Sequence, residues 1–578
     1  MNTAAIYHRP DSEFAYLYSE EEVYLRLRVA KNDMKKVEIV YGDPYEYERL
    51  GWWREPVEMI KLLSTEDFDY YQIIITADHK RLAYFFKLYS ETDESILYTD
   101  RGIFSNEEEN LKDASLVFKF PYFHEEDRVK NPDWVKSTVW YQIFPERFAN
   151  GDRTNDPKNV KEWNPKESPK RQDYYGGDLQ GVLDHLDHFI SLGINGLYFT
   201  PIFKAGSNHK YDTVDYLEID PDFGDKELFK KIVKECHQRG IKVMLDAVFN
   251  HIGDLSPYWQ DVLKNQKKSK YANWFHVNNW PVHYTETEDF EYTADASYDT
   301  FAFTPHMPKW NTSNPEVIDY LLNVASYWIK EFDIDAWRLD VANEVDHQFW
   351  KKFRKICDQT KKDFYIVGEI WHNSQSWLNG DEFSSVMNYA YTQAILDGCI
   401  KSKISLEKMA SKMNEQLMLY RKQTNQVMLN SLDSHDTARL LTLCEGNKDL
   451  FKLVYAFNFL QIGLPMIYYG DEFSLTGAND PDCRKCMPWK KEEQDLEMFT
   501  FFQSLIQFRK ENFKEISEAQ LNWEFIEERK KRFIISIADI KAVFNLGQED
   551  WKLETGKILL SHNFRNHQLK AEGFVIYK

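Results

Sequence analysis

The chain has 578 residues, enough for three or four domains at about 150 residues each. Asp and Glu outnumber Lys and Arg by 93 to 72, and the resulting net charge of −21 argues against nucleic acid or a membrane surface as the main partner, because both are anionic. The start of the chain lacks the basic and apolar regions of a signal peptide, and six cysteines are too few for a disulfide scaffold. Composition therefore predicts a soluble, cytoplasmic, multidomain protein.

Short segments rich in β-branched and aromatic residues fill the first part of the chain. Polar turn clusters separate them, which is typical of a sandwich of two sheets. We therefore predict an N-terminal β-sandwich over residues 1–123, followed by a charged, proline-containing stretch at 124–137. The clearest predicted strands are residues 23–29, 36–41, 70–75 and 82–88.

From residue 139 onward, short apolar runs alternate with helical patterns. Eight such runs predict parallel strands with crossover helices, most simply a (β/α)8 barrel over residues 124–510. About 90 residues separate the third and fourth runs, where a barrel unit needs about 30, so residues 250–313 should form an inserted subdomain. A small C-terminal β-sandwich is expected over 511–578. The eight runs are 139–144, 194–202, 242–249, 334–341, 364–370, 384–389, 427–434 and 465–470.

Polar residues follow four of these predicted strands. Active sites of (β/α)8 barrels lie at the carboxyl ends of the strands, so these side chains should meet at one mouth. They are Asp246, Asn250 and His251 after the third run, Arg338 and Asp340 in the fourth, Glu369 after the fifth, and Asp433, His435 and Asp436 after the seventh.

Two carboxyl groups at one site fit the cleavage of a glycosidic bond, since one must protonate the leaving oxygen while the other is ionised. Arg338 and Asp340 are two residues apart, so in a strand both point the same way, and the guanidinium would hold Asp340 ionised as a nucleophile. Glu369 precedes Ile370 and Trp371, and burial beside them favours the protonated form that a general acid needs. Each pair alone is equally compatible with a buried salt bridge.

Four motifs in this order, DAVFNH, WRLDVANE, VGEIW and LDSHD, resemble the conserved regions of the α-amylase superfamily of glycoside hydrolases. LYFTPIF (197–203) and MPKW (307–310) resemble its secondary motifs. The segment VANE (341–344), with the N-terminal β domain, is similar to the branch that contains cyclomaltodextrinase, neopullulanase and maltogenic amylase. The resemblance covers essentially the whole chain. Trp310 stands where the family commonly has a smaller residue, and it is expected to reshape the cleft wall.

The resemblance implies a retaining reaction with Asp340 as the nucleophile, Glu369 as the acid/base and Asp436 as a third carboxylate that grips the sugar at the −1 subsite. It also implies substrate-binding positions. These are Tyr211, His251, Arg338 and His435 for the −1 subsite, Trp371, Asn343 and Glu344 for the acceptor side, and Asp482 and Arg484 for a further binding loop.

A cluster of oxygen donors at 150–156 is followed by Gly176-Gly-Asp178. Read alone, the cluster is an Asx-rich turn, because such residues are ordinary turn formers. The resemblance instead implies a structural Ca²⁺, held by Asn150, Asp152, Asn155, Asp156, Asp178 and the carbonyl of Gly176. The CxxC of Cys483 and Cys486 has no partner motif for zinc and is interpreted as two plain thiols.

In this branch, the resemblance implies hydrolysis of α-1,4-glucosidic bonds in cyclodextrins, pullulan and maltooligosaccharides, with some transglycosylation. It also implies a homodimer in which the starch-binding-like N-terminal domain covers the cleft of the other subunit. One alternative is a maltogenic amylase that mainly transfers sugars. Another is a carbohydrate-binding protein without activity, which the presence of all three carboxylates disfavours.

Overall fold

A computed structural model describes residues 1–50, 55–92 and 94–578. Its N-terminal part consists of two antiparallel sheets that enclose a core containing Leu25, Leu27, Ile39 and Phe86, which confirms the predicted sandwich. The first sheet contains Ala15–Leu17, Glu22–Ala30, Phe68–Thr76 and Ile60–Ser64. The second contains Val57–Glu58, Met34–Gly42, Leu82–Ser90, Ser95–Thr99, Gly102–Ser105 and Phe118–Phe120.

The predicted (β/α)8 barrel is present, and its eight strands are parallel. A parallel bridge between Met387 and Leu429 joins the sixth and seventh strands and closes the cylinder. Aromatic and aliphatic side chains, among them Trp140 and Tyr365, fill its interior. The strands, each matching a predicted run, are β1 (Trp140–Ile143), β2 (Gly196–Phe199), β3 (Lys242–Ala247), β4 (Ala336–Leu339), β5 (Tyr365–Gly368), β6 (Ser385–Val386), β7 (Leu429–Ser431) and β8 (Leu464–Tyr468).

Helices surround the barrel, and their ends follow the expected capping chemistry. Asp225 accepts a hydrogen bond from the Leu228 amide at the start of Lys226–Gln238, and proline occupies the first turn of Pro315–Phe332. No helix in the described part of the chain is long and apolar enough to cross a membrane. The other main helices are Leu179–Asp184, Leu186–Leu192, His347–Thr360, Tyr389–Ile395, Leu406–Leu419, Lys448–Phe459 and Leu496–Glu511.

The subdomain inserted after β3 is present, with the helix Pro257–Asn265 and several isolated strand bridges. Trp310 was expected to reshape the cleft wall, and this is wrong: the ring is 1% exposed and stacks on Phe275, 4.9 Å between centroids. A larger residue fits after MPK because the subdomain core, which also contains Trp259, surrounds it.

The C-terminal β domain is also present, and its hydrogen bonds join six strands into one sheet. Phe533 and Phe544 on one face of this sheet contact Phe457 of the barrel helix Lys448–Phe459. The strands are Leu521–Glu527, Arg532–Ile537, Ile540–Asn545, Trp551–Lys552, Ile558–Arg565 and Gln568–Tyr577.

Asp335, just before β4, ties the amino end of the barrel together. Its buried carboxylate accepts a hydrogen bond from the Val243 amide (3.0 Å) and pairs with His237 (2.7 Å), Lys242 (3.0 Å) and Lys361 (3.0 Å). Burial opposes ionisation, but the surrounding cations outweigh it and lower the pKa of Asp335. The ionised form is therefore stabilised by folding.

We expect Asp335→Asn to destabilise the protein by about 2–4 kcal/mol at pH 7, because it removes the buried counter-charge of Lys242 and leaves Lys361 paired only with the exposed Asp333. The pKa of Asp335 is lower in the folded protein than in the unfolded chain, where it is about 3.9, so its ionised carboxylate stabilises the folded state at pH values above about 3.9. This stabilisation is lost as the pH falls through the folded-state pKa. The Tm difference from the native protein should therefore narrow below about pH 4. Thermal unfolding of the variant and the native protein at pH values from 7 to 3 measures this difference. The control is Asp333→Asn, at a carboxylate 67% exposed; an equal effect of both variants would contradict the assignment.

Candidate active site

One buried guanidinium organises the polar residues at the mouth of the barrel. Arg338 Nη1 lies 2.7 Å from Asp340 Oδ1 and 3.1 Å from both oxygens of Asp246, while Nη2 lies 2.9 Å from Glu369 Oε2. Arg338 is completely buried. The carboxyl ends of β3, β4 and β5 thus bring three predicted groups together, as parallel strands in a barrel require.

Three carboxyl groups share this one positive charge. Burial raises the pKa of Asp340, and the carboxylates of Glu369 and Asp246 act in the same direction, while the Arg338 guanidinium opposes them. Burial likewise raises the pKa of Asp246 to about 6. Because the groups titrate together, the cluster retains a proton at a pH where isolated carboxyls would have lost it. Such a site can hold one acid and one ionised carboxylate together.

Glu369 is held at both oxygens. The Val341 amide donates to Oε2 (3.0 Å), and the indole Nε1 of Trp371 donates to Oε1 (3.1 Å). Val341 has φ = 45°, in the left-handed region that a β-branched residue rarely adopts. This strained conformation, next to Asp340 in sequence, aims its N–H at Glu369, as is common at functional sites.

Tyr211 and two histidines form the adjoining wall. The Tyr211 hydroxyl donates to Asp246 Oδ2 (3.0 Å) and lies 2.6 Å from His435 Nε2. His251 Nε2 lies 3.2 Å from the Tyr211 carbonyl. Burial and nearby Arg484 lower the pKa of His435, so its imidazole is neutral and can accept the bond from Gln142 Nε2 at Nδ1 (2.9 Å).

Asp436 adjoins this wall at His435. Its Oδ2 is 3.2 Å from His435 Nε2 and its Oδ1 is 3.4 Å from Arg484 Nη2. Asp482, predicted beside Arg484, does not line the cavity; its carboxylate accepts a hydrogen bond from the Ala478 amide (2.7 Å). Asp480 lines the cavity instead and pairs with Arg484 at 2.9 Å. The short helical turn at 482–484 places Asp482 on the side away from the cavity.

These groups open into a cavity of about 1280 Å³, large enough for several sugar rings. Arg338 and His435 are buried beneath it. Trp371 is 52% exposed and stacks on Tyr389, 3.6 Å between ring centroids. The predicted residues that line it are Tyr211, His251, Asp340, Asn343, Glu344, Glu369, Trp371, Asp436 and Arg484.

Several contributors lie outside the predicted set. The Tyr198 hydroxyl donates to Asp246 Oδ2 (2.8 Å), and Gln142 bonds His435 from β1. Leu255, Phe290 and other residues of the inserted subdomain line the cavity. Tyr198 and Gln142 lie inside barrel strands, so their positions within the predicted apolar runs could have identified them as site residues. The subdomain residues have no comparable sequence signal.

The loop predicted to bind calcium contains buried oxygens that fit a hard cation. Asn150 Oδ1 and Asn155 Oδ1 are buried and have no hydrogen-bond partner among the described residues, while Asp156 Oδ1 accepts from Asn150 Nδ2 (2.6 Å). A Cβ on Gly176 would lie 2.3 Å from Asp156 Oδ1, so only glycine leaves room at this position. Unpartnered amide oxygens beside a carboxylate are the ligands that Ca²⁺ prefers.

Two other predicted ligands are differently engaged. Asp178 accepts the amides of Gly151 (3.0 Å), Asp152 (2.8 Å) and Gly181 (2.6 Å) and so caps a helix. The Asp152 carboxylate accepts the Thr154 amide and hydroxyl. Within the described residues, no three His, Cys, Asp or Glu side chains cluster as metal ligands. Amides and carbonyls would therefore have to supply most of the coordination.

Comparison with known proteins agrees with this architecture. Residues 142–520 match the alpha amylase catalytic domain, and residues 1–124 match the alpha amylase N-terminal ig-like domain. The chain is 49% identical over 529 residues to an intracellular maltogenic amylase of Bacillus subtilis, spanning 92% of this chain and 88% of that protein. It is 49% identical over 512 residues to a cyclomaltodextrinase of Geobacillus thermopakistaniensis, spanning 88% and 85%.

A solved cyclomaltodextrinase structure superimposes with a TM-score of 0.91 at 41% identity and covers all of both chains. The sequence match extends over both the sandwich and the barrel, and the structural match extends over the whole molecule. The protein belongs to the α-amylase family of glycoside hydrolases.

Proposed function

We propose that the protein is a retaining hydrolase of α-1,4-glucosidic bonds in cyclodextrins, pullulan and maltooligosaccharides, and that it also transfers glycosyl groups to sugars. The observation that carries this proposal is the pair of carboxyl groups, Asp340 and Glu369, held by two nitrogens of one guanidinium at the floor of the cavity. The cyclomaltodextrinase and maltogenic amylase names of its relatives support the substrate class.

In the first step, an ionised Asp340 oxygen attacks the anomeric carbon while the Glu369 carboxyl gives its proton to the glycosidic oxygen. The carbon–oxygen bond breaks and a glycosyl–Asp340 ester forms with inverted configuration. Arg338 stabilises the carboxylate of Asp340, and the Val341 amide and Trp371 indole orient Glu369. Asp436 and the Tyr211 wall would bind the hydroxyls of the reacting sugar.

In the second step, Glu369, now a carboxylate, takes a proton from water, and the resulting oxygen attacks the same carbon. The ester bond to Asp340 breaks, and the second inversion restores the original configuration. A sugar hydroxyl that replaces water gives transfer instead. Trp371, Asn343 and Glu344 also line the cavity and would bind the acceptor sugar.

The alternative, an enzyme that mainly transfers sugars, is favoured by the half-exposed Trp371 ring beside the acid, which offers a surface for an acceptor. The ratio of transfer to hydrolysis products at high acceptor concentration decides between the two. A binding protein without activity is disfavoured because the complete carboxyl cluster is assembled around Arg338.

We also propose a cytoplasmic homodimer. The Bacillus relative named as intracellular supports the location. The resemblance to a branch with N-terminal sandwich domains supports dimerisation. Sedimentation that gives a monomer under assay conditions would contradict the dimer.

The loop at residues 150–178 is proposed to bind a structural Ca²⁺. Asn150, Asn155 and Asp156 would hold it, with the Gly176 carbonyl beside them. When bound, the ion would neutralise the carboxylate and satisfy the buried amide oxygens. Asp178 would order the same loop by accepting its backbone amides.

Replacement of the acid/base, Glu369→Gln, should lower kcat on β-cyclodextrin, pullulan and soluble starch by about 10²–10⁴, because the amide cannot protonate the leaving oxygen. Initial rates with product analysis measure this. The control is Glu407→Gln, at an exposed carboxylate on the helix Leu406–Leu419 outside the cavity, which should keep the native rate. Fastest cleavage of starch by the native enzyme would contradict the proposed substrates, which are cyclodextrins, pullulan and maltooligosaccharides.

The carboxyl cluster should also set the acid limb of the pH profile. Since the pKa of Asp340 is raised, kcat/KM should begin to fall, as the pH decreases, at a pH above the usual carboxyl pKa of about 3.9. Asp246→Asn removes a neighbouring negative charge, so the pKa of Asp340 should drop and the acid limb should move to lower pH. An unmoved limb, or the same movement in Glu407→Gln, would show that Asp246 does not act on Asp340.

Removal of calcium should lower the Tm, because an ion that binds only the folded state stabilises that state. At a calcium concentration a hundredfold above Kd, this stabilisation is about 2.7 kcal/mol. Thermal unfolding with a chelator, with Ca²⁺ and with Mg²⁺ measures the effect. In Asn155→Ala, which removes one unpartnered oxygen, Ca²⁺ should raise the Tm less. A native Tm insensitive to the chelator would count against the site.

A further inference from the structure

A second group of buried charged side chains lies beneath the loop after β7, outside the set that the proposed mechanism uses. It contains Asp433, which is 4% exposed, together with Asp471 and Arg439, which are completely buried. Asp433 follows β7 and Asp471 follows β8, and these two strands are hydrogen-bonded neighbours. The carboxyl ends of adjacent barrel strands thus bring two acids to one place, as at the catalytic cluster.

The two carboxyl groups have unequal partners. Arg439 Nη1 lies 3.0 Å from Asp471 Oδ1, and the Tyr455 hydroxyl donates to Asp471 Oδ2. Asp433 Oδ2 accepts the Leu440 amide (2.7 Å), whereas Asp433 Oδ1 is buried and has no hydrogen-bond partner among the described residues. Arg439 pairs with Asp471 and not with Asp433. An ionised Asp433 would therefore be a buried charge with an unsatisfied oxygen, which is costly.

A proton between the two acids removes this cost. The side chains of Asp433 and Asp471 are in hydrogen-bonding contact with each other. Two carboxylates only accept hydrogen bonds, so a proton on one of them must supply the donor. Burial raises the pKa of both groups, and Asp433 raises that of Asp471 further, while Arg439 opposes the shift. One proton and one guanidinium leave the group electrically neutral.

The neighbouring titratable side chains do not change this balance. Glu472, next to Asp471 in sequence, pairs with His188 at 2.7 Å. The others are phenols and thiols whose pKa burial raises, so they are uncharged at neutral pH. They are Tyr141, Cys444, Tyr455, Tyr468, Tyr469 and Cys483.

Arg439 connects this group to the active site. Its Nε donates to the Cys483 carbonyl (2.9 Å). The next residue, Arg484, donates from Nε to the His435 carbonyl (2.8 Å), and its Nη2 lies 3.4 Å from Asp436 Oδ1. The guanidinium thus supports the segment that contacts Asp436 from one side, while the loop after β7 carries Asp436 itself.

We propose that Asp433 and Asp471 share one proton, and that the resulting hydrogen bond is a positioning contact that holds the loop after β7 and Arg439 so that Asp436 faces the reacting sugar. The role of Asp436 rests on the proposed function. The shared proton does not, because it follows from the contacts of the two buried acids.

Asp433→Asn tests the proton, because the amide can accept from Leu440 and donate to Asp471 at every pH. Since folding raises the pKa of the pair, the proton stabilises the native fold fully below the unfolded value of about 3.9, and this stabilisation declines as the pH rises toward the folded pKa. The Tm of Asp433→Asn should therefore rise relative to the native Tm between pH 4 and pH 9. Glu407→Gln, at an exposed carboxylate, should show no such trend.

The double variant Asp433→Asn with Asp471→Asn removes both acids and leaves the buried Arg439 without a counter-charge. Its Tm should lie below that of Asp433→Asn at every pH, because one negative charge is needed and two are not. A Tm difference between Asp433→Asn and the native protein that does not change with pH, or a double variant as stable as Asp433→Asn, would overturn the shared proton.

The positioning role is tested by kcat and KM on β-cyclodextrin. Asp433→Ala should lower kcat about tenfold or more with a smaller change in KM, because a displaced Asp436 no longer meets the reacting sugar, whereas Asp433→Asn should restore most of the loss. If Asp433→Ala does not fold, Asp433→Ser takes its place. Native kcat in the Ala or Ser variant, or an equal loss in Asp433→Asn, would overturn the role. Native protein that cleaves no α-glucan would overturn the proposed function, and the Tm measurements would still decide the shared proton.

Discussion

The arrangement of the active site depends on one fully buried guanidinium bound to three carboxyl groups. Arg338 joins the ends of β3, β4 and β5 through Asp246, Asp340 and Glu369. Burial of one cation among three acids is unfavourable unless the geometry is nearly ideal, since the desolvation of each charge costs several kcal/mol in order of magnitude. The barrel provides that geometry because its strands are fixed by a continuous ring of hydrogen bonds.

Two carboxyl groups of this cluster, Asp340 and Glu369, differ in the contacts that hold them. With two more acidic than basic groups, the cluster favours retention of a proton, and the pKa values of Asp340 and Asp246 are both raised. Asp340 is paired with Arg338 at 2.7 Å, whereas Glu369 is also held by the Val341 amide and the Trp371 indole. The strained backbone of Val341 is part of the cost of this arrangement.

Trp371 connects three parts of the molecule. It donates a hydrogen bond to Glu369, stacks on Tyr389 at the start of the helix after β6, and lines both the catalytic cavity and a second cavity of about 350 Å³ beside the helix Leu406–Leu419. Glu369 is thus in contact with a side chain that borders both cavities. The loop after β7 has a comparable position, because its two sides face the two cavities.

Much of the fold could be predicted from the sequence because its signals are local. The eight barrel strands coincide with apolar runs, and the sandwich strands with β-branched segments. Parallel strands in a barrel place their carboxyl ends at one mouth, so Asp340, Glu369 and Asp436 could be assigned to one site from the sequence alone.

Other features of the fold and the site were decided only by the tertiary structure. Asp480, and not Asp482, faces the cavity, and Trp310 is enclosed in the inserted subdomain. Gln142 of β1 reaches His435, which follows β7, past the intervening strand β8. These outcomes depend on how loops and strands far apart in sequence pack together. The sequence determined which groups stand at the strand ends, because that follows from a local repeat, whereas long-range packing decided which way each loop side chain points.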